Sequence, residues 1–510
     1  MNFTNGELKQ IKSHGLTIEE VFNQIETFVN GIPFVDIITA ASIGNGIESV
    51  SRENQEKLAC FFEDKKEGLD IVKFVPASGA ATRMFKFLHE FLEDYDPDEE
   101  DLRDYLKDDT KKGLRLFFDS YQEFAFINDV RKVIRKKFPG YKHGKKGLRY
   151  KMFVRVMLNE EGLNFNLLPK GLIPFHQYKK YATTAFEEQL YESAFYASIS
   201  GDAHLHFTFS EKHLPFFKEK FKSVKSRVSK KTKTEFHISY SFQKKETDTL
   251  AVKPDNTPFR GKDGQLLFRP SGHGALLSNL NDVDTDIIFV KNIDNVIAEE
   301  YVEEMVFYKK VLAGKMLWIQ QKIFAYLRKL NKVEVSQETL DEIKSFLWNE
   351  LNIKDIPTEL HIIRAVLNRP RRVCGVVKNT GSPGGGPFWI KNDRGETSLQ
   401  IVEMSQIDSQ NRRLQNLVSE ATHFNPVDIV CGVRDYQGNK FDLLKFTDPN
   451  SGIITEKSQE GKPVKALELP GLWNGSMANW NTALVEVPIS TFNPVKTVND
   501  LLKKEHRPNA

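Results

Sequence analysis

Cysteine is scarce in this sequence of 510 residues, and its spacing excludes two kinds of site. Cys60, Cys374 and Cys431 are an odd number of widely separated residues, and no two of them form a CxxC pair. They therefore provide neither a disulfide framework nor a cysteine zinc site. Cysteine usage of this kind is typical of a reducing compartment, and we expect a cytoplasmic protein.

Long hydrophobic runs and an excess of one charge are also missing. No stretch of about 18 apolar residues occurs, and the first residues, MNFTNGELKQIKSHG, carry charges where a signal peptide requires an apolar segment. Lysine and arginine number 72 against 69 aspartate and glutamate residues, so the net charge is only +3. We therefore expect neither a membrane nor a nucleic acid as a partner.

The common catalytic signatures are absent as well. The sequence contains no GxxxxGK loop followed by Ser or Thr, no HExxH, no GxSxG and no GxGxxG. Instead, several loops rich in Gly, Ser, Thr, Lys, Arg and Asp follow short apolar runs. Such loops suit phosphate groups, because exposed backbone N–H groups and the start of the next helix favour an anion.

The hydrophobic pattern predicts an α/β fold preceded by a helical N-terminal region at residues 1–68. Residues 69–490 alternate short β-type runs with helical segments, which predicts an α/β domain. Within it, residues 84–166 have Phe, Leu and charged residues at helical spacing and are predicted to be a helical insertion. We interpret its basic stretch, 131–151, as a solvated face, with a phosphate-binding lid as the alternative. Residues 491–510 are predicted to be a tail.

Two loops contain cations suited to a phosphate chain. The first, FVPASGAATRMFK at 74–86, follows an apolar strand, and its small residues let the backbone approach a ligand, with Arg83 as a clamp. The second, PKGLIPFH at 169–176, places Lys170 between turn residues. Taken alone, each loop has an ordinary interpretation, as a strand-to-helix turn in the first case and a surface lysine in the second.

Two neighbouring segments, FRPSGHGALLSNL and DIIFVKNIDN, predict a metal-binding carboxylate. The apolar run IIFV predicts a buried strand, and Asp294 falls just beyond its carboxyl end, where open α/β sheets place their ligand sites. A carboxylate at this position is suited to Mg²⁺. Alternatively, Asp294 is a turn or helix N-cap residue, and His273, between two glycines, is a structural hydrogen-bonding group.

Two later segments combine glycine or aromatic residues with polar ones. KNTGSPGGGPFW at 378–389 has three consecutive glycines that offer N–H groups to a ligand, although a flexible turn accounts for it equally well. ELPGLWNGSMANW at 468–480 is dense in Asn and Trp, which suits hydroxyl recognition and sugar stacking. Burial of these Trp residues in an ordinary core is the alternative interpretation.

In their order along the chain, these motifs resemble those of the UDP-sugar pyrophosphorylases. ASGAATRM at 77–84 resembles their AGGxGTRL loop, PKGLIP their Pro-Lys motif, and HFTFSEKH at 206–213 their VHFTVSPEH-like strand. GHGALLSNL with FVKNIDN resembles their GHGD and NIDN pair, and LQIVEMSQI at 399–407 is similar to their VVEYSE segment. The matches are collinear over residues 72–407. The sequence as a whole also resembles a bacterial family defined only as a domain of unknown function.

The resemblance implies a GT-A-like (Rossmann-like) α/β fold with a mixed, mainly parallel sheet. It further implies an enzyme that joins an NTP, expected to be UTP, to a sugar 1-phosphate with release of pyrophosphate. It also implies Mg²⁺ as the cofactor, held by Asp294. Onto the matching positions it carries catalytic roles for Arg83, Lys170 and Asp294, nucleotide contacts for Ala77, Ser78, Gly79, Thr82, Gly272, His273 and Gly274, and sugar contacts for Asn295, Gly385 and Glu403.

Three departures from the family pattern support an alternative function. Ser78 and Ala81 replace loop glycines, and Ala275 replaces the Asp that follows GHG. The alternative is a non-catalytic protein of the same fold that binds a nucleotide or nucleotide sugar without turnover. An unrelated phosphate-handling enzyme is a third interpretation.

Overall fold

The computed structural model describes residues 3–77, 81–332, 334–381, 385–392 and 395–508. The chain forms two compact units. The first contains Met1–Phe74, Ser241–Val290 and Tyr308–Ile489, and the second contains Val75–Tyr240, Lys291–Phe307 and Ser490–Ala510.

Helices and strands alternate along much of the chain. The α-helices are α1 (Asn5–Ser13), α2 (Ile18–Asn30), α3 (Arg52–Lys65), α4 (Lys86–Asp94), α5 (Leu102–Tyr105), α6 (Lys112–Ser120), α7 (Ile127–Lys137), α8 (Lys146–Leu158), α9 (Ala185–Tyr196), α10 (Leu214–Thr232), α11 (Leu276–Asp282), α12 (Val302–Leu330), α13 (Gln337–Asn349), α14 (Leu360–Leu367) and α15 (Arg412–Ser419). Within the described ranges, none of the helices has the length and apolar character that a membrane crossing requires.

The strands are mostly short. They are β1 (Asp36–Ala40), β2 (Ser42–Ile43), β3 (Gly46–Glu48), β4 (Ile71–Pro76), β5 (Pro174–Gln177), β6 (Ala182–Thr184), β7 (Ser198–Ile199), β8 (Asp202–Thr208), β9 (Glu235–Ser241), β10 (Thr249–Leu250), β11 (Phe268–Arg269), β12 (Ile287–Lys291), β13 (Arg371–Lys378), β14 (Gly386–Lys391), β15 (Thr397–Val402), β16 (His423–Gly432), β17 (Ile453–Gln459), β18 (Lys462–Glu468) and β19 (Asn481–Glu486).

The first unit contains a mixed sheet whose strands follow the order β2, β3, β19, β13, β16, β12, β4. β2, β3, β19 and β13 are parallel to one another, as are β12 and β4, whereas β16 is antiparallel to β13. Val433, just after β16, donates its N–H to the carbonyl O of Asp286 (3.4 Å), just before β12, so β16 is antiparallel to β12 as well. Every strand in this row except β16 therefore begins at the same edge. The predicted mainly parallel α/β class is confirmed.

Burial on both faces explains why these strands are nearly continuous apolar runs. All residues of β12 are buried, and Phe74 of β4 lies opposite Val290 of β12 in the parallel register. Parallel strands that are covered on both faces lack polar alternation. Cys374 and Cys431 belong to the same core, and burial raises the pKa of the Cys374 thiol to about 11. Because a buried thiol with a raised pKa is a poor nucleophile, these cysteines are packing residues.

The second unit contains the segment that we predicted as a helical insertion. α4 to α8 lie in residues 84–166, and this segment, all of which is described, contains no strand. Aromatic rings fill its interior: the centroids of Phe91 and Phe118 are 5.1 Å apart. Ala81 donates its N–H to the carbonyl O of Leu168 (3.4 Å), so the two ends of the segment lie side by side. In the same unit, β8 pairs with β7 and β9, and β5 pairs with β6.

Two regions differ from the expectation drawn from the sequence. The N-terminal region is not wholly helical, because β1, β2 and β3 lie between α2 and α3. Gly46, the first residue of β3, has φ 95°, and an added Cβ would lie 3.2 Å from the indole nitrogen of Trp389, so this position requires glycine. The residues after 490 are not a tail, because Val495, Leu501 and His506 are buried. Charged side chains are frequent at the end of the sequence, so the few buried residues among them do not form a clear hydrophobic pattern.

We expect the second unit to lose stability in acid through His506. This histidine is buried and hydrogen-bonded to His176, with 2.9 Å between the ring nitrogens. Burial, together with the nearby His176 and Lys503, lowers the pKa of His506 to about 3. In the unfolded chain a histidine has a pKa of about 6.5. The contribution of His506 to the free energy of unfolding is therefore complete above about pH 6.5. It falls by about 1.4 kcal/mol per pH unit as the pH decreases towards 3.

The measurement is the free energy of unfolding in urea at pH 7 and pH 4.5. His506→Asn should reduce the difference between the two values, because this variant has no imidazole to protonate at position 506. His143→Asn, which removes an exposed histidine from the same unit, should leave the difference unchanged. An identical pH dependence in the wild type and His506→Asn would exclude His506 as the acid-sensitive group.

Candidate functional site

The first predicted loop follows β4 in the second unit. Ala77 is buried, and its N–H donates to the carbonyl O of Thr208 (2.8 Å). Thr82 and Arg83 lie on a 3₁₀ turn, Ala81–Arg83, and are exposed to solvent. The structure thus presents a cation at the end of a buried strand. The predicted nucleotide contacts Ser78 and Gly79 lie outside the described residues.

The loop that contains Lys170 contacts the loop after β12 through a buried glycine. Lys170 begins a 3₁₀ turn, Lys170–Leu172, and its neighbour Gly171 packs against Ile293. A Cβ added to Gly171 would lie 2.9 Å from Cγ1 of Ile293, so only glycine permits this approach. The N–H of Ile293 in turn donates to the carbonyl O of Pro76 at the end of β4 (3.3 Å). The loops after β4, before β5 and after β12 therefore converge.

Lys170 and Asp294 form an ion pair at this point of convergence. Lys170 Nζ lies 2.7 Å from Asp294 Oδ2, and both side chains are largely but not completely buried. The two residues are 124 positions apart in the sequence, and the contact brings together two residues that we predicted to be catalytic. Asp294 is not a helix N-cap, because β12 is followed by a turn in which Asn295 donates its N–H to the carbonyl O of Asn292 (3.2 Å).

A second lysine, Lys496, lies beside this pair. The N–H of Val495 donates to the carbonyl O of Asp294 (3.2 Å), which holds the C-terminal segment against the loop after β12. Desolvation of the ammonium group lowers the pKa of Lys496; Asp294 opposes this shift and Lys170 adds to it. The group therefore contains two lysines and one aspartate from three separate loops.

Asn295, predicted to contact a sugar, anchors the same C-terminal segment. Its side-chain Oδ1 accepts the N–H of Asn493 (2.9 Å). Its Nδ2 is buried and has no hydrogen-bond partner among the described residues. Asn295 thus has a structural role through its oxygen and an unused donor on its nitrogen.

The remaining predicted residues lie in the first unit, around His273. Nδ1 of His273 accepts the N–H of Leu472 (3.0 Å), so we assign Nε2 as the donor to Glu403 Oε1 (3.1 Å). The imidazole stacks on the indole of Trp473, with 4.2 Å between ring centroids and 11° between planes. His273 is therefore held on both nitrogens and one face, which supports the structural interpretation of this residue and fixes the orientation of Glu403.

Glycines around His273 allow close backbone contact. Gly272 has φ 78°, a conformation that favours glycine. A Cβ on Gly274 would lie 2.2 Å from the carbonyl O of Pro470. Gly385 lies next to Glu403, because an added Cβ would be 3.8 Å from Glu403 Cγ. Gly385 also accepts the N–H of Asn425 at its carbonyl O (2.9 Å).

The described site residues thus form two groups, one in each unit. The group in the second unit contains Ala77, Thr82, Arg83, Lys170, Asp294 and Asn295, and the group in the first unit contains Gly272, His273, Gly274, Gly385 and Glu403. The assignment of both groups to one reaction stays a prediction.

A family model matches the chain from residue 4 to residue 507. The chain belongs to the family described as Domain of unknown function (DUF4301). The family resemblance expected from the sequence is confirmed. No curated protein matches the chain.

Several solved structures are similar to this DUF4301 chain. UDP-glucose pyrophosphorylase from Leishmania major is 13% identical, and the match covers 100% of this chain and 80% of that one with a TM-score of 0.45. UDP-glucose phosphorylase from Trypanosoma brucei is 12% identical over 98% of this chain and 80% of that one, with a TM-score of 0.45. Uridine diphosphate N-acetylglucosamine pyrophosphorylase from T. brucei, solved with an inhibitor, is 10% identical over 99% and 78%, with a TM-score of 0.48.

Lys496 is the residue of this DUF4301 chain that the sequence patterns did not identify. It lies in the segment NPVKTVND, which belongs to residues 491–510, the predicted tail. The only signal was the spacing of Val495 and Val498, both of which are buried. Two apolar residues three positions apart indicate that this face of the segment is buried, but they do not reveal which loop the intervening lysine approaches.

Proposed function

We propose that the protein is a Mg²⁺-dependent nucleotidyltransferase of GT-A-like fold that joins an NTP, with UTP as the first candidate, to a sugar 1-phosphate and releases pyrophosphate. The observation that supports this most is the 2.7 Å contact between Lys170 Nζ and Asp294 Oδ2, with Lys496 near enough to interact electrostatically with both. A phosphate chain that carries a divalent cation requires positive side chains and a carboxylate in one place. This arrangement provides them.

The proposed reaction makes modest demands on the protein. An oxygen of the sugar phosphate attacks the α-phosphorus of the NTP, a new P–O bond forms, and the bond to the β-phosphate breaks. Pyrophosphate leaves with the bonding electrons, and the attacking oxygen is already an anion, so no general base is needed. The side chains Arg83, Lys170 and Lys496 would orient the phosphates for in-line displacement and stabilise the charge that moves to the leaving group.

Asp294 is the residue that would hold Mg²⁺. Among the described residues, no group of three or more His, Cys, Asp or Glu side chains is arranged to hold a metal ion, so a metal site made of protein ligands alone is not supported. Magnesium nevertheless fits a single carboxylate, because it keeps several waters and uses substrate phosphates as ligands. When bound, the ion supplies neutralisation of phosphate charge. Lys170 holds the Asp294 carboxylate in position through Oδ2.

The group around His273 would bind the nucleotide and the sugar. Glu403 is a hydrogen-bond acceptor suited to sugar hydroxyl groups, and His273 orients it by donating to Oε1. Gly272 and Gly274 remove side chains where the backbone approaches its neighbours, and we assign them to the nucleotide. Gly385 completes the proposed sugar contacts of this group. In the second unit, Asn295 stays a predicted sugar contact, and its Nδ2 has no hydrogen-bond partner among the described residues.

The experiment that tests the function is a screen of NTPs against sugar 1-phosphates in the presence of Mg²⁺, with pyrophosphate release as the readout. The proposal expects release that depends on the metal and on both substrates. No release from any pair, together with saturable nucleotide binding, would replace it with the non-catalytic alternative.

One observation favours that alternative, a protein that binds a nucleotide or nucleotide sugar without turnover. The N–H of Ala81 donates to the carbonyl O of Leu168 (3.4 Å), so this loop N–H is not directed at a phosphate. Under the alternative, UTP or a UDP-sugar raises the melting temperature, and pyrophosphate is not released.

Arg83→Ala is expected to weaken nucleotide affinity or turnover by roughly ten- to a hundredfold. The reason is the loss of one charge-assisted contact to phosphate, worth about 1.5–3 kcal/mol. The measurement is the Kd of the NTP by calorimetry, together with kcat/KM for pyrophosphate release.

The matched control is Arg103→Ala, which removes an exposed arginine from the same unit. It should leave both quantities unchanged. If Arg83→Ala also leaves affinity and rate unchanged, the phosphate clamp does not include the loop after β4.

A further inference from the structure

The strand β15 lies at the edge of an antiparallel sheet, β1–β14–β15, in the first unit. In an antiparallel pair, every second residue directs its N–H and C=O to the neighbouring strand, and the residues between direct theirs to the other side. Asn392 donates its N–H to the carbonyl O of Glu396 (2.9 Å) in the β14–β15 hairpin, so the even-numbered residues of β15 pair with β14. Thr397, Leu399 and Ile401 therefore direct their backbone groups to the outer edge of the sheet.

Two hydrogen bonds confirm this direction. Thr397 donates its N–H to Oδ2 of Asp355 (2.6 Å) and not to β14. The carbonyl O of Pro387 in β14 accepts the N–H of Ala41, just after β1, and so faces away from β15 (2.9 Å). Among the described residues, no acceptor is bonded to the N–H of Leu399, although this residue is only 5% exposed. A backbone N–H in such a position nearly always has a partner, so we expect a further binding partner on this edge.

A cavity of about 270 Å³ lies along the outer edge of β15. Four consecutive residues of the strand, Thr397 to Gln400, line it, together with Asp355, the acceptor of the outward N–H of Thr397. Because side chains on one face of a strand alternate, a run of consecutive lining residues means that the cavity meets the edge of the strand. The outward backbone groups of Leu399 are on this edge.

The cavity has room for one extended chain. A strand advances about 3.3 Å per residue, and neighbouring strands lie about 4.8 Å apart, so the cavity holds roughly two or three residues beside β15. Residues from the segments 351–357 and 478–482 also line it, and they occupy the space that a second folded sheet would need. A single strand-like segment therefore fits better than the edge of another folded domain.

The charge of the lining favours a basic segment. The carboxylates of Asp355 and Glu396 line the cavity, and both residues are exposed. Asp355 accepts the N–H of Thr397, and Glu396 accepts the side-chain N–H of Asn392 (2.7 Å). Both donors are neutral, so these hydrogen bonds leave the two negative charges without compensation. Arg369 supplies one positive charge in the described lining.

We propose that the outer edge of β15 binds an extended, basic peptide segment of a partner protein, which adds a fourth strand to the β1–β14–β15 sheet. The N–H of Leu399 donates to a carbonyl O of the peptide, and the carbonyl O of Leu399 accepts a peptide N–H. A lysine or arginine side chain of the segment pairs with Asp355 and Glu396. This site does not rest on the proposed nucleotidyltransferase activity, because it uses none of the residues assigned to that reaction.

The test measures the binding of the probe acetyl-Val-Lys-Val-amide to the full-length protein by saturation-transfer NMR. The valines favour an extended conformation. Two analogues each carry one N-methyl group, on the lysine in the first and on the following valine in the second. Successive N–H groups of a strand face opposite sides, so one analogue should bind like the parent and the other at least about threefold more weakly. Equal binding of the two analogues, or no binding of the parent, would overturn the proposal.

The same assay tests the charge and the location of the segment. Norleucine in place of the probe's lysine removes the charge and should weaken binding about two- to fivefold at low salt. Asp355→Asn and Glu396→Gln keep a hydrogen-bond acceptor, and each should reduce this preference for lysine. Glu338→Gln is the control, because Glu338 is exposed on α13 and does not line the cavity. A preference for lysine that is undiminished in both cavity variants would overturn the assignment.

Two further measurements exclude other occupants and other sites. A second copy of the chain at this edge would give a dimer in sedimentation analysis that the probe dissociates, and this result would overturn the assignment to a partner peptide. Asp294→Asn should bind the probe like the wild type, and Glu396→Gln should not change pyrophosphate release. Loss of probe binding in Asp294→Asn together with normal binding in Glu396→Gln would assign the probe to the other site and overturn the proposal.

Discussion

Asp294→Asn is expected to lower pyrophosphate release by about a hundredfold or more. The substitution preserves the size of the side chain but removes the negative charge that pairs with Lys170 and, under the proposed function, holds Mg²⁺. The effect should appear in kcat at saturating substrates, because the ion acts on charge that develops during the reaction. The measurement is a Mg²⁺ titration of the rate for wild type and variant, with circular dichroism to verify the fold.

Asp284→Asn is the matched control for this experiment. Asp284 lies just before β12, is highly exposed and pairs with Arg434 at 2.7 Å, so the same chemical change is made at the opposite end of the same strand. Its rate and Mg²⁺ dependence should equal those of the wild type. Wild-type Mg²⁺-dependent activity in Asp294→Asn would remove Asp294 from the metal site.

Lys496→Met should lower turnover by up to about a hundredfold, because it removes a cation worth about 1.5–3 kcal/mol in a charge-assisted contact to phosphate. Desolvation lowers the pKa of the Lys496 ammonium, so the protonated fraction decreases at a lower pH than for an ordinary lysine. We therefore expect wild-type activity to decline on the alkaline side and this decline to move in the variant. The measurement is kcat/KM as a function of pH.

Lys503→Met serves as the control within the same segment. Lys503 is about half exposed and pairs with Asp500 at 2.7 Å, so its loss removes one positive charge without removing a proposed phosphate contact. A large loss of rate in Lys496→Met alone supports a contact of Lys496 with substrate. Equal losses in both variants would instead indicate a general effect of charge or of a loosened C-terminal segment.

The buried strands could be predicted from the sequence because burial leaves a local pattern. The runs IVKFV and DIIFV each contain four apolar residues and no regular polar alternation, and the structure has β4 and β12 at these positions, side by side in a parallel sheet. The helical spacing at 84–166 corresponds to α4–α8. In both cases the pattern of apolar residues within one short stretch of chain is enough to predict whether that stretch is a strand or a helix.

The short strands β1–β3 and the folded C-terminal segment were not predicted, and the reason is physical. β2 has only two residues and β3 only three, too few for a period of two to stand out from chance. At the C-terminus, charged side chains surround a few apolar ones, and these are buried only because other elements provide a surface for them. Short segments of this kind acquire their structure from tertiary contacts rather than from their own pattern.

The site shows the same division between local and tertiary information. Residue type and position after a strand were sufficient to select Arg83, Lys170, Asp294 and His273 as candidates, because the chemistry of phosphate and metal binding restricts the side chains that can serve. The sequence by itself determined this chemical inventory, the α/β class and the family. Only the tertiary structure decided that Lys170 reaches Asp294 across 124 residues, that Lys496 joins them, and that Trp473 and Glu403 hold His273. These contacts depend on the order of strands in the sheet and on where distant loops converge. The hydrophobic periodicity of a segment depends only on that segment, so it predicts neither the strand order nor the convergence of the loops.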